Sequence, residues 1–148
     1  VGVTGYVSII DLKNEEQFSA VTYLPQEKMN FIAYRGTDDT IVGWKEDFNL
    51  AILDEVPAQK DAVKYLDKAM SVLKGSFVVG GHSKGGNLAV YACSKAGEAE
   101  KKRIELIYNM DGPGFSEKRL HSQEFYSVIP VSCQVCRNLS SKIRSPSL

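Results

Sequence analysis

The pentapeptide Gly81-His82-Ser83-Lys84-Gly85 constrains this chain more than any other stretch. It stands between a short apolar run, Phe77-Val78-Val79-Gly80, and a segment whose apolar residues Leu88, Ala89, Ala92, Cys93 and Ala96 recur at helical spacing. Such a run reads as a strand buried on both faces. Strand, tight turn and helix in that order, with Gly-x-Ser-x-Gly at the turn, is the setting of a nucleophile elbow. The chain must reverse so sharply there that the serine takes a strained backbone conformation, and a side chain at either flanking glycine would collide with the adjoining strand or helix. That geometry lifts Ser83 Oγ out at the sheet edge, aims a helix N-terminus at a developing oxyanion and leaves the Lys84 backbone N–H as one donor to it. The pentapeptide alone is a weak pattern, and its competing reading is a plain turn in which Ser83 merely caps the helix. A phosphate-cradling loop is excluded, because Gly-x-x-x-x-Gly-Lys-Ser/Thr cannot be laid on residues 80–87.

The flanks of the elbow fit an alternation of strands and helices. Phe18 to Leu24 and Asn30 to Arg35 are β-branched and aromatic-rich runs separated by a turn around Pro25, which predicts an antiparallel hairpin. Ala62, Val63, Leu66, Ala69, Met70 and Leu73 predict an amphipathic helix from Val56 to Leu73, with Pro57 in its first turn and Gly75 past its end. Arg103 to Asn109 reads as a further strand that stops at Asp111-Gly112-Pro113-Gly114, after which Ser116 would cap one short helix carrying Leu120 and Phe125. The fold class is therefore α/β, with a mostly parallel sheet flanked by helices. Residues 131–148 are serine-rich, lack acidic residues and show no periodicity, so the expected organisation is one domain over 1–130 and a disordered polar tail.

Composition narrows the function classes. Eighteen basic residues balance eighteen acidic ones, so no net field would recruit nucleic acid or an anionic membrane. The apolar runs fall far short of the ~20 residues of a membrane span. Three cysteines, Cys93, Cys133 and Cys136, form no framework and fit a reducing compartment; the expected location is cytoplasmic. Cys133-Gln134-Val135-Cys136 lacks a second pair and is read as incidental.

A second candidate lies at Tyr34-Arg35-Gly36-Thr37-Asp38, where a strand ends. An oxyanion hole needs two converging donors, and the second usually comes from the loop after an earlier strand. Thr37 is placed to give its backbone N–H, although a simple loop start would also use these residues.

Tyr-Arg-Gly-Thr, the downstream Gly43-Trp44-Lys45-Glu46-Asp47-Phe48 and Gly-His-Ser-Lys-Gly-Gly together resemble class 3 lipases. Those enzymes carry an aromatic-Arg-Gly-Ser/Thr, a Trp-x-x-Asp and a Gly-His-Ser-x-Gly-Gly. A closer likeness is to a bacterial family of lipase-like α/β-hydrolases defined by sequence rather than by known reactions. Its pattern runs from Phe18 through Pro57-Ala58-Gln59 and Asp-Gly-Pro-Gly-Phe to Ile129. The resemblance implies an α/β-hydrolase with Ser83 as nucleophile, Thr37 and Lys84 as oxyanion donors, and the stretch from Thr37 to Asp47 beside or over the site. It also implies an Asp47–Arg35 pair of structural kind; Trp44, on a predicted helix, reads first as core rather than as a lid.

Ser83 needs a general base, and the chain holds two histidines, His82 and His121. His82 immediately precedes the nucleophile and should point away from it, which leaves His121. The order Ser83, Asp111, His121 is the one α/β-hydrolases use. Against this, turn chemistry alone explains Asp111, and a solvent-facing helix explains His121. In the lipases the acid and the histidine both follow later in the chain, and at roughly 25 to 30 residues per βα unit this length holds about five units. The expectation is thus an incomplete sheet, truncated or altered after Ile129, with an open edge that favours self-association. Two functions remain. One is a serine hydrolase acting on a small-molecule carboxylic ester or lipid without metal or organic cofactor; the other is a catalytically silent hydrolase-like binding domain or fragment that lacks its histidine. Thioesterase, peptidase and acyltransferase chemistry stay open within the first.

Overall fold

Hydrophobic alternation and turn chemistry build the first half of the sheet. In the computed structural model, residues 2–25, 29–37, 41–53 and 55–135 are described, apart from the side chains at 42, 44, 47, 48, 51, 52 and 133–135. Strand β1 (Gly2–Asp11) runs into β2 (Glu16–Leu24) through a turn in which Asp11 Oδ1 accepts from the backbone N–H groups of Lys13 (2.8 Å) and Asn14 (3.1 Å). Strand β3 (Met29–Tyr34) then pairs antiparallel with β2, which is the predicted hairpin. Strand β1 was not expected: most of its residues are exposed, so no buried face marks it in the sequence.

The second half is parallel. Helix α1 (Ile41–Ile52) and helix α2 (Pro57–Val72) lead to β4 (Ser76–His82), and helix α3 (Lys84–Lys95) with the short α4 (Glu98–Lys101) leads to β5 (Ile104–Met110). Among the described residues six strands lie in sequence order, with β1–β2 and β2–β3 antiparallel and β3–β4, β4–β5 and β5–β6 parallel. The parallel pairings thus predominate in a mixed sheet. The sixth strand, β6 (Ser132–Val135), departs from the expected disordered tail. Its four residues pair with Ile107 to Met110 through the backbone ladder, a pairing that any sequence can make and that leaves no periodicity to read. Cys136 and the rest of the tail lie outside the described residues, as does the Cys133 side chain.

Packing follows the elements. α2 lies against β2 and α3, and α3 against β3, β4 and β5. Along β3 the residues Asn30, Ile32 and Tyr34 are buried while Met29, Phe31 and Ala33 between them are less so, as a period of two requires. Tyr34 Oη donates to Ala62 O in α2 at 2.7 Å, fixing that helix over the buried face. Phe77, Val79, Leu66, Leu88 and Ile107 are fully buried, each contributing roughly 1.5–3 kcal/mol of transfer free energy. Arg103 closes the α2 C-terminus by donating to the carbonyls of Met70 (2.8 Å), Leu73 (2.5 Å) and Gly75 (3.0 Å).

The single short helix expected after Ser116 is two, α5 (Glu117–Leu120) and α6 (Gln123–Tyr126). Ser122 separates them, because its hydroxyl accepts from the Phe125 N–H and starts a new helix. Ser116 stands at the α5 N-cap without a side-chain capping bond. No helix among the described residues is long and apolar enough to cross a membrane.

One buried carboxyl works against the fold. Glu16, at the start of β2, is 8% exposed, and its Oε1 has no hydrogen-bond partner among the described residues. Burial, and then the facing Asp61 with Glu46 and Asp11 behind it, pushes the group up from 4.5 to about 7. The folded chain holds this proton more tightly than the unfolded one, so the stability it contributes falls as pH rises from about 4.5 through about 7. Glu16→Gln is expected to stabilise the protein at pH 8 by on the order of 1 kcal/mol, allowing for solvent screening, and to change little at pH 4. Urea melts at the two pH values check it.

Candidate active site

Three parallel strands end together, and the site forms where they do. Tyr34 stands opposite Gly81, and His82 opposite Met110, so the loops after β3, β4 and β5 emerge at the same sheet edge. Those loops carry Thr37, Ser83 and Asp111. The carboxyl ends of parallel strands are where α/β sheets present their ligands, since the helices that follow point their N-termini there.

Ser83 sits in the left-handed region at φ 55°, ψ −129°, between the end of β4 and the first residue of α3. A non-glycine residue held there is strained, and its neighbours enforce the strain. Its N–H donates to Met110 O at 2.8 Å, and its carbonyl accepts from Gly86 N–H at 2.9 Å. A Cβ at Gly81 would fall 2.4 Å from the Gly85 carbonyl carbon, and one at Gly85 would fall 2.2 Å from Tyr34 O. Backbone lies against backbone at both positions. Ser83 itself is half-buried and makes no side-chain capping bond, which removes the helix-cap alternative.

The second loop closes on the same point. A Cβ at Gly36 would meet His82 O at 2.8 Å and Ser83 Cβ at 3.6 Å, so the backbone immediately before Thr37 touches the elbow. Thr37 is half-buried. On the other side, a Cβ at Gly112 would lie 3.0 Å from Ser83 O. Asp111, one residue earlier, is exposed and takes φ 55°. Asn109 accepts from Gly112 N–H at 3.0 Å and so holds this turn, while Asn87 Nδ2 donates to Pro113 O at 2.9 Å. Asn87 Oδ1 in turn accepts from Gln59 Nε2 at 2.9 Å, and Gln59 Oε1 accepts from Val56 N–H.

Thus Ser83, the Thr37 loop, the Lys84 N-terminus and the Asp111 turn come together. His121 lies elsewhere. It caps α5, is exposed, and its Nδ1 lies 3.3 Å from Tyr126 Oη. No hydrogen bond joins Ser83, Asp111 and His121 among the described residues. His82 is exposed beside the elbow, and the side chains of Trp44 and Asp47, although on α1, lie outside the described residues.

Sequence reasoning missed the side chain of Lys84. It runs into the interior, 1% exposed, and its Nζ donates to Gln17 O (2.6 Å), Gln17 Oε1 (2.6 Å) and Glu46 Oε2 (2.8 Å). Glu46 is fully buried and also accepts from the N–H groups of Gln17 (3.0 Å) and Ala58 (3.1 Å). A signal existed: a cation in the first turn of a helix opposes the macrodipole, so a lysine there calls for a carboxylate. The network through Gln59, Asn87 and Asn109 gave no such signal, since amides pair without pattern in sequence.

The family model described as Mbeg1-like matches residues 1–140. A comparison with curated proteins finds no match. Among solved structures, a fungal lipase, determined with an inhibitor as a model for interfacial activation in lipases, superposes with TM-score 0.63 at 15% identity. The superposition covers 90% of this chain, which spans 56% of that lipase. At that identity the likeness establishes the fold alone, a lipase-like α/β fold.

The elbow allows a sharp test. Gly85→Ala places a methyl group 2.2 Å from a backbone carbonyl that β-sheet pairing holds in place, and should cost at least about 3 kcal/mol or prevent folding. Thermal melts of Gly85→Ala beside Gly114→Ala, whose added Cβ meets nothing within 4 Å, should separate the two clearly.

Proposed function

The chain belongs to the Mbeg1-like family, a lipase-like family, and on that premise we propose that it is a serine hydrolase cleaving a carboxylic ester, with Ser83 as nucleophile. The observation that carries the proposal is the left-handed Ser83 at the C-terminal end of β4, wedged between the Gly36 backbone and the Gly112 turn. In this reading Ser83 Oγ attacks the ester carbonyl carbon and its proton passes to a base. The backbone N–H groups of Thr37 and Lys84 hold the oxyanion, reinforced by the α3 N-terminus. The tetrahedral intermediate collapses by expelling the alcohol, which takes the proton from the base. Water, deprotonated by the same base, then releases the acid and restores Ser83. This chemistry needs no metal or organic cofactor. A cytoplasmic setting belongs to the same proposal.

The base assignment within this reading is His121, with Asp111 as its orienting acid. It requires the imidazole to leave Tyr126 Oη and reach the strand ends. The present hydrogen bond of His121 to Tyr126, and its exposure, favour a second reading: a hydrolase-like domain that binds an ester or lipid without cleaving it.

Fluorophosphonate labelling of the purified chain, followed by intact mass, separates the two. The proposal expects one adduct, absent in Ser83→Ala, and at least about a hundredfold slower labelling in His121→Ala. Stoichiometric labelling unchanged in His121→Ala would move the base elsewhere, and no adduct on the wild-type chain would leave the binding domain as the surviving reading.

A further inference from the structure

We propose that the buried Lys84–Glu46 pair is the positioning device of the oxyanion hole. Lys84 anchors its own backbone N–H, and Glu46 ties the segment that carries Thr37 to the same anchor. The inference rests on the serine-hydrolase reading and deepens it.

The side chain of Lys84 has no freedom left. Three protons meet three acceptors within 2.8 Å, and none faces solvent. Since the same residue opens α3, fixing its far end fixes the direction in which its N–H leaves the helix. Glu46 has no freedom either, because its two oxygens take bonds from β2, α2 and α3 while its own backbone belongs to α1. Both ends of the pair bond Gln17 on β2, and two residues further along that strand Ser19 O accepts from the Arg35 N–H at 2.9 Å, so the same anchor reaches the loop that delivers the second donor.

Packing alone does not call for this arrangement. Replacing a buried ion pair by two apolar residues of the same volume often costs no stability, and a cation at the start of α3 faces the wrong end of the helix dipole. What the pair supplies instead is direction, because charged hydrogen bonds tolerate little change in length or angle. Donors misplaced by a fraction of an ångström lose much of their effect on a transition state while leaving the bound ester almost untouched.

The experiment uses the full chain as wild type, Lys84→Met/Glu46→Gln, Gln17→Met and, as a charge-loss control, Lys64→Met, whose ammonium is exposed on α2. The double variant replaces the pair without stranding a charge. Fluorophosphonate labelling rates and hydrolysis of p-nitrophenyl butyrate are measured well below each melting midpoint. The expected result is a folded double variant labelled at least about tenfold more slowly, with kcat reduced to match and KM unchanged, while Lys64→Met behaves as wild type. A purely structural pair would lower the melting midpoint and leave both rates alone, and that result overturns the inference while the Ser83 reading stands. Should the double variant not fold, Gln17→Met decides: labelling about threefold slower supports the positioning role and a wild-type rate overturns it. A wild-type chain that takes no label removes the hydrolase reading, and the inference falls with it.

Discussion

The contact on which the site depends is backbone against backbone: Tyr34 O lies 2.2 Å from where a Cβ of Gly85 would be. With glycine at 81 and 85, the first turn of α3 can press onto the ends of β3 and β4, and only then does Ser83 take its left-handed conformation. The consequence is positional. A helix N-terminus, a hydroxyl and the loops of two neighbouring strands converge on one point at the sheet edge, where the dipole and the free N–H groups of α3 favour negative charge. Any residue larger than glycine would push α3 away and dissolve that convergence, whatever the residue at 83.

Polar bonds then fix what sterics alone leave loose. The Lys84–Glu46 pair ties α3 to β2, α1 and α2, and the chain from Val56 through Gln59 and Asn87 to Pro113 ties the start of α2 to the turn after β5. Lys84, Glu46, Val56, Gln59 and Asn87 are buried and partnered, so breaking any of their bonds leaves a desolvated donor or acceptor. Hydrophobic packing gives the sheet and helices their affinity for one another, while these bonds select the register in which they meet.

How much of this the sequence carried follows from which forces leave a periodic trace. The hairpin at β2 and β3, helix α2, and the strand–turn–helix at β4 and α3 are strongly patterned because each has a buried face, and each was legible. Strand β1 is exposed on most of its length and β6 is held by backbone pairing, so neither writes an alternation. At the candidate site, the strained conformation of Ser83 was legible because steric necessity forces two glycines around it. The loop carrying Thr37 was legible as the end of a strand, and its Gly36 backbone touches the elbow. For Lys84 the local mark is a cation in the first turn of a helix, which calls for a carboxylate without saying which one, since the partner stands 38 residues earlier in the chain.

The two halves of the proposed chemistry stand on different footing for a physical reason. Ser83 and the Lys84 N–H are carried on the end of β4 and a twelve-residue helix, and moving either breaks sheet pairing or the buried charge pair. His121 is carried between two four-residue helices, far too short to hold themselves. What fixes that segment is Phe125, 3% exposed and edge-on to Phe115, together with the Arg119 guanidinium over the Tyr91 ring. These anchors flank His121 without immobilising its ring, which keeps one 3.3 Å bond to an exposed tyrosine. Reorienting the imidazole therefore costs little beside what moving the nucleophile would cost. A base arriving from this segment would meet a nucleophile and oxyanion donors already in place, so the catalytic geometry would be set by the sheet and only the proton transfer by the helices.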